Sequence, residues 1–287
     1  YKNKKLTRDE QKLVYKSEAD GSVRLSSKIK REILKSCIFG VDIDPQAVEV
    51  TRMSLSLKTL EDTDHNQVYD ERTLWHTTIL PPLEGNIKCG NSLIGTDIYG
   101  NELFPRDGSN FTAQELEKKI NPLNYQHAFK EIFNSGGFDC LIMNPPWGYD
   151  FSEFELSYLR TMNKEIIVRM IDSFMYFIYL SSKKIKKNSL IGMIVPDVLL
   201  YQIDNEKLRK FLLKNFTINY IINAGNVFEQ VVRPSAILIL QKEKIEESIV
   251  SINDLSDIKA SESKKHSLND IQTYGKVKQT FIDSLAG

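Results

Sequence analysis

The chain has 287 residues, enough for one large α/β domain or two small ones, and its 41% apolar and 26% charged residues are the proportions of an ordinary globular protein. No run of about 18 apolar residues occurs, which excludes a predicted transmembrane helix, and the polar, basic N-terminus lacks the apolar core of a signal peptide. Net charge is zero, so composition does not advertise nucleic-acid binding. Cys37, Cys89 and Cys140 are isolated, each in or beside an apolar run, and read as small buried hydrophobes in a reducing compartment, not as a disulfide framework. The histidines His65, His76, His127 and His266 have no metal-ligand spacing and no CxxC occurs, so no metal is expected. The expectation is a cytoplasmic protein with no membrane partner.

Residues 1–36 are rich in Lys and Arg and form a basic lead-in, helical or flexible. Cys37 to Val41 is a short apolar run ending at Asp42, which predicts a buried parallel strand. Asp44-Pro45 then predicts a helix start, with Asp44 at the N-cap and Pro45 in the first helical position; Val48, Met53, Leu55 and Leu57 carry the helix to about Thr59. Residues 61–86 are polar, with Pro81-Pro82 and Gly85, and read as a loop. Asn86 to Cys89 is a weak strand candidate stopped by Gly90-Asn91, and Thr112 to Lys119 a short helix candidate. Tyr125 to Phe133 reads as a helix ended by Gly136-Gly137, and Phe138 to Met143 as the next strand.

Glu165 to Lys187 has the spacing of one long amphipathic helix, with Ile166, Met170, Phe174, Phe177, Ile178 and Ser181 on a face. Leu190 to Val195 follows as a strand closed by Pro196-Asp197. Asn205 to Leu213 reads as a helix, and Ile218 to Ile222 and Ser235 to Gln241 as two further strands. Residues 242–287 read as a polar, helix-poor tail leading to a further domain. Two basic clusters, Lys183-Lys184-Lys186-Lys187 and Lys207-Arg209-Lys210-Lys214, are either solvated faces or a phosphate-facing patch.

Strands alternating with helices predict an α/β fold over residues 37–241, a doubly wound and mostly parallel sheet. The last two strands are joined by a loop too short for a helical crossover, so they are expected to be antiparallel neighbours. Ligands in such sheets bind outside the carboxyl ends of the strands. Asp42, Asn91, Asn144 and Asp197 stand at four such ends.

Asn144-Pro145-Pro146-Trp147 carries the strongest chemical signal. The two prolines fix φ, and Pro146 keeps Pro145 out of the α region, so no helix turn consumes the local carbonyls. The Asn144 side-chain oxygen and the Pro145 carbonyl can then accept from one amino group. An exocyclic amine on a purine is a poor nucleophile because its lone pair is delocalised into the ring. Two acceptors in tetrahedral directions favour the pyramidal, positively charged nitrogen that forms as a methyl group arrives, without a strong general base. Trp147 offers a stacking face. Turning a base out of a duplex costs a few kcal/mol, and stacking on one aromatic returns about 1–3 kcal/mol. A second aromatic is therefore required, and Phe228 is the candidate. At Asp42 a carboxylate can accept both hydroxyls of a ribose; the alternative is a turn aspartate. At Asn91 an amide can pair with an adenine edge; the alternative is ordinary Gly-Asn-Ser turn chemistry.

Ile38 to Val48, then Cys89-Gly90-Asn91-Ser92-Leu93-Ile94-Gly95, then Asn144 to Trp147 resemble, in this order, the core of the S-adenosylmethionine-dependent adenine-N6 DNA methyltransferases found in fused type IIG (type IIS) restriction–modification enzymes and related phage-defence proteins. The resemblance covers roughly residues 30–241 and implies a class I methyltransferase fold with an antiparallel last strand. It implies that Asp42 holds the cofactor ribose, that Ile43 packs on its adenine, that Asn91 takes the place of the residue recognising the adenine amino group, and that the adjacent Ser92 is cofactor-binding. It also implies that Asn144, Pro145, Pro146 and Trp147 form the catalytic motif, that Phe228 is the aromatic before the last strand, and that double-stranded DNA is the partner. The family's Gly-rich first motif, typically Asp-Pro-Ala-Cys-Gly-Ser-Gly, has no counterpart in the sequence. The expectation is a piece of a longer polypeptide that lacks the first, central strand, draws its Gly-rich cofactor loop from the upstream part, and alone binds S-adenosylmethionine weakly or not at all. Two other readings share part of this pattern: a protein-glutamine or RNA N-methyltransferase, and a non-catalytic DNA-binding or assembly module. No nuclease signature is visible.

Overall fold

A computed structural model describes residues 14–16, 21–61, 81–99, 118–166, 172–226, 233–245, 247–255 and 273–285. Its contacts divide the chain into two units, Tyr1–Tyr99 with Ser109–Phe129, and Gly100–Gly108 with Lys130–Gly287. Among the described residues no helix is long and apolar enough to cross a membrane.

In the first unit β1 (Val14–Lys16) and β2 (Val23–Leu25) pair antiparallel. Helix α1 (Ser27–Cys37) follows, started by Ser26, whose Oγ accepts from Ile29 N–H. The helix therefore occupies the position expected for the start of a strand, and strand β3 is only Gly40–Asp42. Helix α2 (Pro45–Lys58) begins as the sequence predicts: Asp44 Oδ1 accepts from Gln46 N–H at 2.8 Å and Pro45 takes the first helical position. Strand β4 (Ile87–Cys89) lies parallel to β3, with Asp42 opposite Cys89. Leu34, Val48, Leu83 and Ile87 form the core between these elements. Asn86 Nδ2 ties the end of α1 to β4 by donating to Lys35 O (2.7 Å) and Ile38 O (2.9 Å). Helix α3 is Tyr125–Ala128; it stops at Phe129, whose backbone leaves the helical region (φ −130°, ψ 49°) while its ring packs edge-on against Phe39.

The second unit begins with α4 (Lys130–Asn134) and β5 (Phe138–Met143). Then come α5 (Glu153–Met162), α6 (Ser173–Ser182), β6 (Ile185–Pro196), α7 (Glu206–Asn215), β7 (Thr217–Gly225), β8 (Ser235–Gln241), β9 (Ile249–Asp254), β10 (Thr273–Lys278) and α8 (Gln279–Leu285). Ser152 and Glu155 close a reciprocal capping box at the start of α5. The strands form one six-stranded sheet in the order β10-β9-β7-β8-β6-β5. This sheet is mixed rather than mostly parallel. β5–β6 and β7–β9 are parallel, whereas β8 runs antiparallel to both its neighbours and β10 to β9. The short connection between β7 and β8 enforces the antiparallel pairing that the sequence predicts there.

The predicted helix over 165–187 is replaced by a short 3-10 turn (Lys164–Ile166), helix α6, and the first residues of β6. The polar Lys186–Ser189 stretch is a bulge: Phe138 faces Ile185 but Cys140 faces Leu190, and Asn188 adopts φ 67°. The segment read as a tail supplies β9, β10 and α8, so it is part of the sheet. The buried face of the sheet is built from Ile191, Met193, Val195, Leu238 and Leu240, and β6 packs against α6, whose Phe174, Tyr176, Ile178 and Tyr179 are buried. The other face is open at β5, where Ile142 is 86% exposed and Cys140 is exposed. Cys37 is exposed as well and Cys89 half-buried, so the cysteines are not the buried hydrophobes expected.

Candidate active site

β5 and β6 are parallel; Met143, the last residue of β5, pairs with Met193, and β6 runs three residues further to Pro196, so the residues that follow both strands leave the sheet at the same end. Asn144 and Pro146 are exposed there, Pro145 is buried and Trp147 half-buried. Among the described residues neither the Asn144 carboxamide nor the Pro145 carbonyl is engaged in a hydrogen bond. The Pro146 carbonyl differs: it accepts from Ser173 Oγ at 2.6 Å. The chain then turns at Gly148 (φ 69°), whose N–H donates to Asp172 Oδ1 at 2.8 Å, and Tyr149 N–H donates to Ser173 Oγ at 3.2 Å. Arg233 Nη1 lies 3.6 Å from Asp172 Oδ2. Tyr149 stacks edge-on with Phe151, and Phe151 with Tyr176 of α6 (centroids 4.9 and 5.9 Å), which anchors the segment beyond the turn. Burial, followed by the nearby carboxylates of Glu155 and Asp150, pushes the Tyr149 hydroxyl above its ordinary range, so it is a neutral group. Asp197, at the end of β6, accepts from the Tyr201 hydroxyl (3.3 Å).

In the first unit Asp42 is exposed at the end of β3. Its Oδ1 accepts from Asp44 N–H (2.9 Å), which is the turn role weighed above, and its second oxygen is unengaged among the described residues. Ile43 is 49% exposed beside it. Asn91 is buried, and its Oδ1 is taken by its own loop, accepting from Leu93 N–H (2.9 Å) and Ile94 N–H (3.1 Å). Only its Nδ2 protons remain for a ligand. Ser92 is half-buried and hydrogen-bonded to Tyr125, whose hydroxyl burial pushes up and the Ser92 bond pulls down. Phe228 lies outside the described residues.

The sequence reading missed Asp172, Ser173 and Arg233. An Asp-Ser pair before an apolar run does signal a helix start. Nothing local indicates that both side chains reach a turn 24 to 27 residues away. The basic cluster Lys183–Lys187 lies at the opposite end of β5 from this rim, where Phe138 faces Ile185, roughly 17 Å along the strand. Its charges are taken up locally: Lys186 pairs with Asp139 (2.8 Å), Lys187 with Glu243 (3.3 Å), and Lys183 sits over the Tyr179 ring. In the second cluster Arg209 donates to Leu199 O and Gln202 O, and Lys210 pairs with Glu206. These are solvated or structural cations, not a patch beside the motif.

Residues 36–228 match the family described as Eco57I restriction-modification methylase. The chain belongs to that family. The Escherichia coli type II restriction enzyme and methyltransferase RM.Eco57I is 30% identical over 250 residues, 83% of this chain. The chain spans 22% of the length of that relative. Two solved structures share the fold. One is a DrdV–DNA complex (TM-score 0.58, 12% identity, 88% of this chain and 25% of that one). The other is a nuclease-deletion mutant of the Type ISP restriction-modification enzyme LlaGI with a DNA substrate mimic (TM-score 0.58, 15% identity, 88% and 21%). For this Eco57I-family chain, Asn144 to Trp147 fall inside the matched span, as do Asp42, Asn91 and the Asp172-Ser173 pair.

Proposed function

We propose that the chain is part of an S-adenosylmethionine-dependent DNA methyltransferase that modifies N6 of adenine, within a restriction–modification or phage-defence enzyme acting on a base flipped out of duplex DNA. The observation that carries the reading is the contrast within the motif. Among the described residues Asn144 Oδ1, on an exposed side chain, and the carbonyl of the buried Pro145 are unengaged, whereas the next carbonyl, that of Pro146, is occupied by Ser173. Two free acceptors on a stiff backbone match the two N–H bonds of one planar amine. Accepting both draws the nitrogen towards a tetrahedral shape and leaves its lone pair directed away from the two oxygens, free to meet a methyl group. The positive charge that develops on nitrogen is stabilised by the same two oxygens, and the proton can leave to water afterwards. The half-buried Trp147 returns part of the stacking lost when the base leaves the duplex. Phe228 is retained as the second aromatic contact.

S-adenosylmethionine, when bound, supplies an electrophilic methyl group. The residues present fit part of such a ligand. The unengaged Asp42 oxygen suits a ribose hydroxyl, and the exposed Ile43 suits an adenine face. Asn91 fits differently from the resemblance: with Oδ1 committed to its loop, it can donate to a ring nitrogen but not accept from the adenine amino group. The Gly-rich loop is proposed to come from the upstream part of the same polypeptide, and titration calorimetry on the chain alone should show no binding tighter than millimolar; micromolar binding would contradict that. DNA as acceptor is supported by the E. coli relative's name and by the two DNA-bound structural neighbours.

The test is methyl transfer by the full-length protein from labelled S-adenosylmethionine to duplex DNA, with the product nucleosides analysed. N6-methyladenine is expected, and Asn144→Ala should lower turnover by about 10²–10³ while DNA affinity stays near wild type. Label in glutamine side chains or RNA, or no transfer at all, would replace this function with one of the alternatives.

A further inference from the structure

Asp172 occupies the N-cap position of α6, yet its side chain makes no capping bond to its own helix. An N-cap aspartate ordinarily accepts from the second or third amide of the helix it starts. Here its Oδ1 accepts instead from Gly148 N–H, 24 residues upstream. Ser173 does the same: its hydroxyl donates to Pro146 O and accepts from Tyr149 N–H. Ser173 itself is 1% exposed. Two consecutive side chains thus hold three backbone groups of the turn that follows Trp147, and Arg233 stands beside the second Asp172 oxygen. A helix start that gives up local capping for a distant turn marks a demand on the position of that turn.

An amine with two N–H bonds needs two acceptors. A third, free, acceptor next in the chain offers alternative pairings that rotate the lone pair away from the incoming methyl group. We infer that Asp172 and Ser173 are positioning residues of the methyl-transfer site. They withdraw the Pro146 carbonyl from the set of acceptors and fix the turn, so that Asn144 Oδ1 and the Pro145 carbonyl are the pair left for the substrate amine. This deepens the function proposed above and rests on it.

The experiment uses the full-length protein, with Ser173→Ala, Asp172→Ala and Asp172→Asn. Hydrogen exchange is read on the peptide covering residues 144–151, and kcat and KM for DNA are measured by methyl transfer. Ser173→Ala and Asp172→Ala should speed exchange in that peptide alone and lower kcat by about 10- to 100-fold, with KM changed by less than about threefold. Asp172→Asn keeps an oxygen that can accept from Gly148 N–H and should recover most of kcat. Unchanged exchange, or faster exchange with kcat retained, overturns the inference. So does an equal loss in Asp172→Ala and Asp172→Asn, which also decides the matter if Ser173→Ala does not fold. A wild-type protein that labels glutamine or RNA instead of adenine sinks the adenine reading only, because the same variants measured on that acceptor still decide the role of the pair; a wild type that labels nothing sinks both.

Discussion

Gly136 and Gly137 provide a matched pair for testing how the β5 strand is set in place. Both have positive φ, 96° and 116°, so alanine at either is strained by about 1–3 kcal/mol. The surroundings differ. A Cβ on Gly136 would meet only the Lys186 Cγ, at 3.6 Å, an ordinary contact. A Cβ on Gly137 would lie 2.5 Å from Lys184 O, 3.1 Å from Lys184 C and 3.2 Å from Ile185 C, all backbone atoms that cannot rotate away. Relief requires β5 and β6 to separate where Phe138 N–H donates to Lys184 O (2.9 Å). Overpacking adds about 1–3 kcal/mol and a lost backbone hydrogen bond about 1 kcal/mol. Gly137→Ala should therefore be worse than Gly136→Ala by about 2–4 kcal/mol. In equilibrium urea unfolding followed by circular dichroism, that difference is a midpoint shift of roughly 1 M at ordinary m-values. Midpoints for the two variants within about 0.2 M of each other would refute the reasoning, because φ alone would then account for both.

Three other outcomes follow from single contacts. Burial, with the Lys183 charge beside it, lowers Lys184 to about 8 from an ordinary 10.5, so folding disfavours its charged form. The unfolded chain then holds the proton that the folded one has lost between pH 8 and 10.5, and stability rises across that window by roughly 3 kcal/mol at most. Lys184→Met should raise the unfolding midpoint at pH 7 and lose that advantage by pH 10.5; an equal gain at both would show that the charge is not responsible. Asp44→Ala removes the cap of α2 and should cost about 1 kcal/mol in urea unfolding, with no change expected only if the Asp44 bond to Gln46 is not formed in solution. Trp147→Ala in the full-length enzyme should raise KM for DNA by about 5- to 100-fold with a smaller effect on kcat, the size of one lost stacking contact; an unaltered KM would remove Trp147 from base capture.

Much of the scaffold around the motif was legible because it rests on local chemistry. Asp44-Pro45 set the start of α2, and the apolar runs 138–143 and 235–241 became β5 and β8 with those boundaries. Errors fell where tertiary contacts override local pattern. The stretch 165–187 carries a helical spacing throughout, but Ile185 already pairs with Phe138 and the lysines after it bulge out of the ladder, so no period-two signal exists to announce the strand. The strands at 249–254 and 273–278 are short and half-polar, and they gain their stability from pairing with β7 and with each other. At the candidate site Asn144 to Trp147 was readable because proline chemistry is local. The commitment of Asn91 Oδ1 to Leu93 and Ile94, and the reach of Asp172 and Ser173 to the turn beyond Trp147, depend on how the loops close.

The open side of β5 has a consequence for handling the protein. Among the described residues β5 pairs along one edge only, with β6, and presents Ile142 and Cys140 outward. An unpaired, apolar rim strand is a template for any other extended chain, including its own copy. Preparations of the chain by itself will therefore self-associate with rising concentration, and a thiol reductant will be needed to keep adjacent Cys140 groups from locking such encounters covalently.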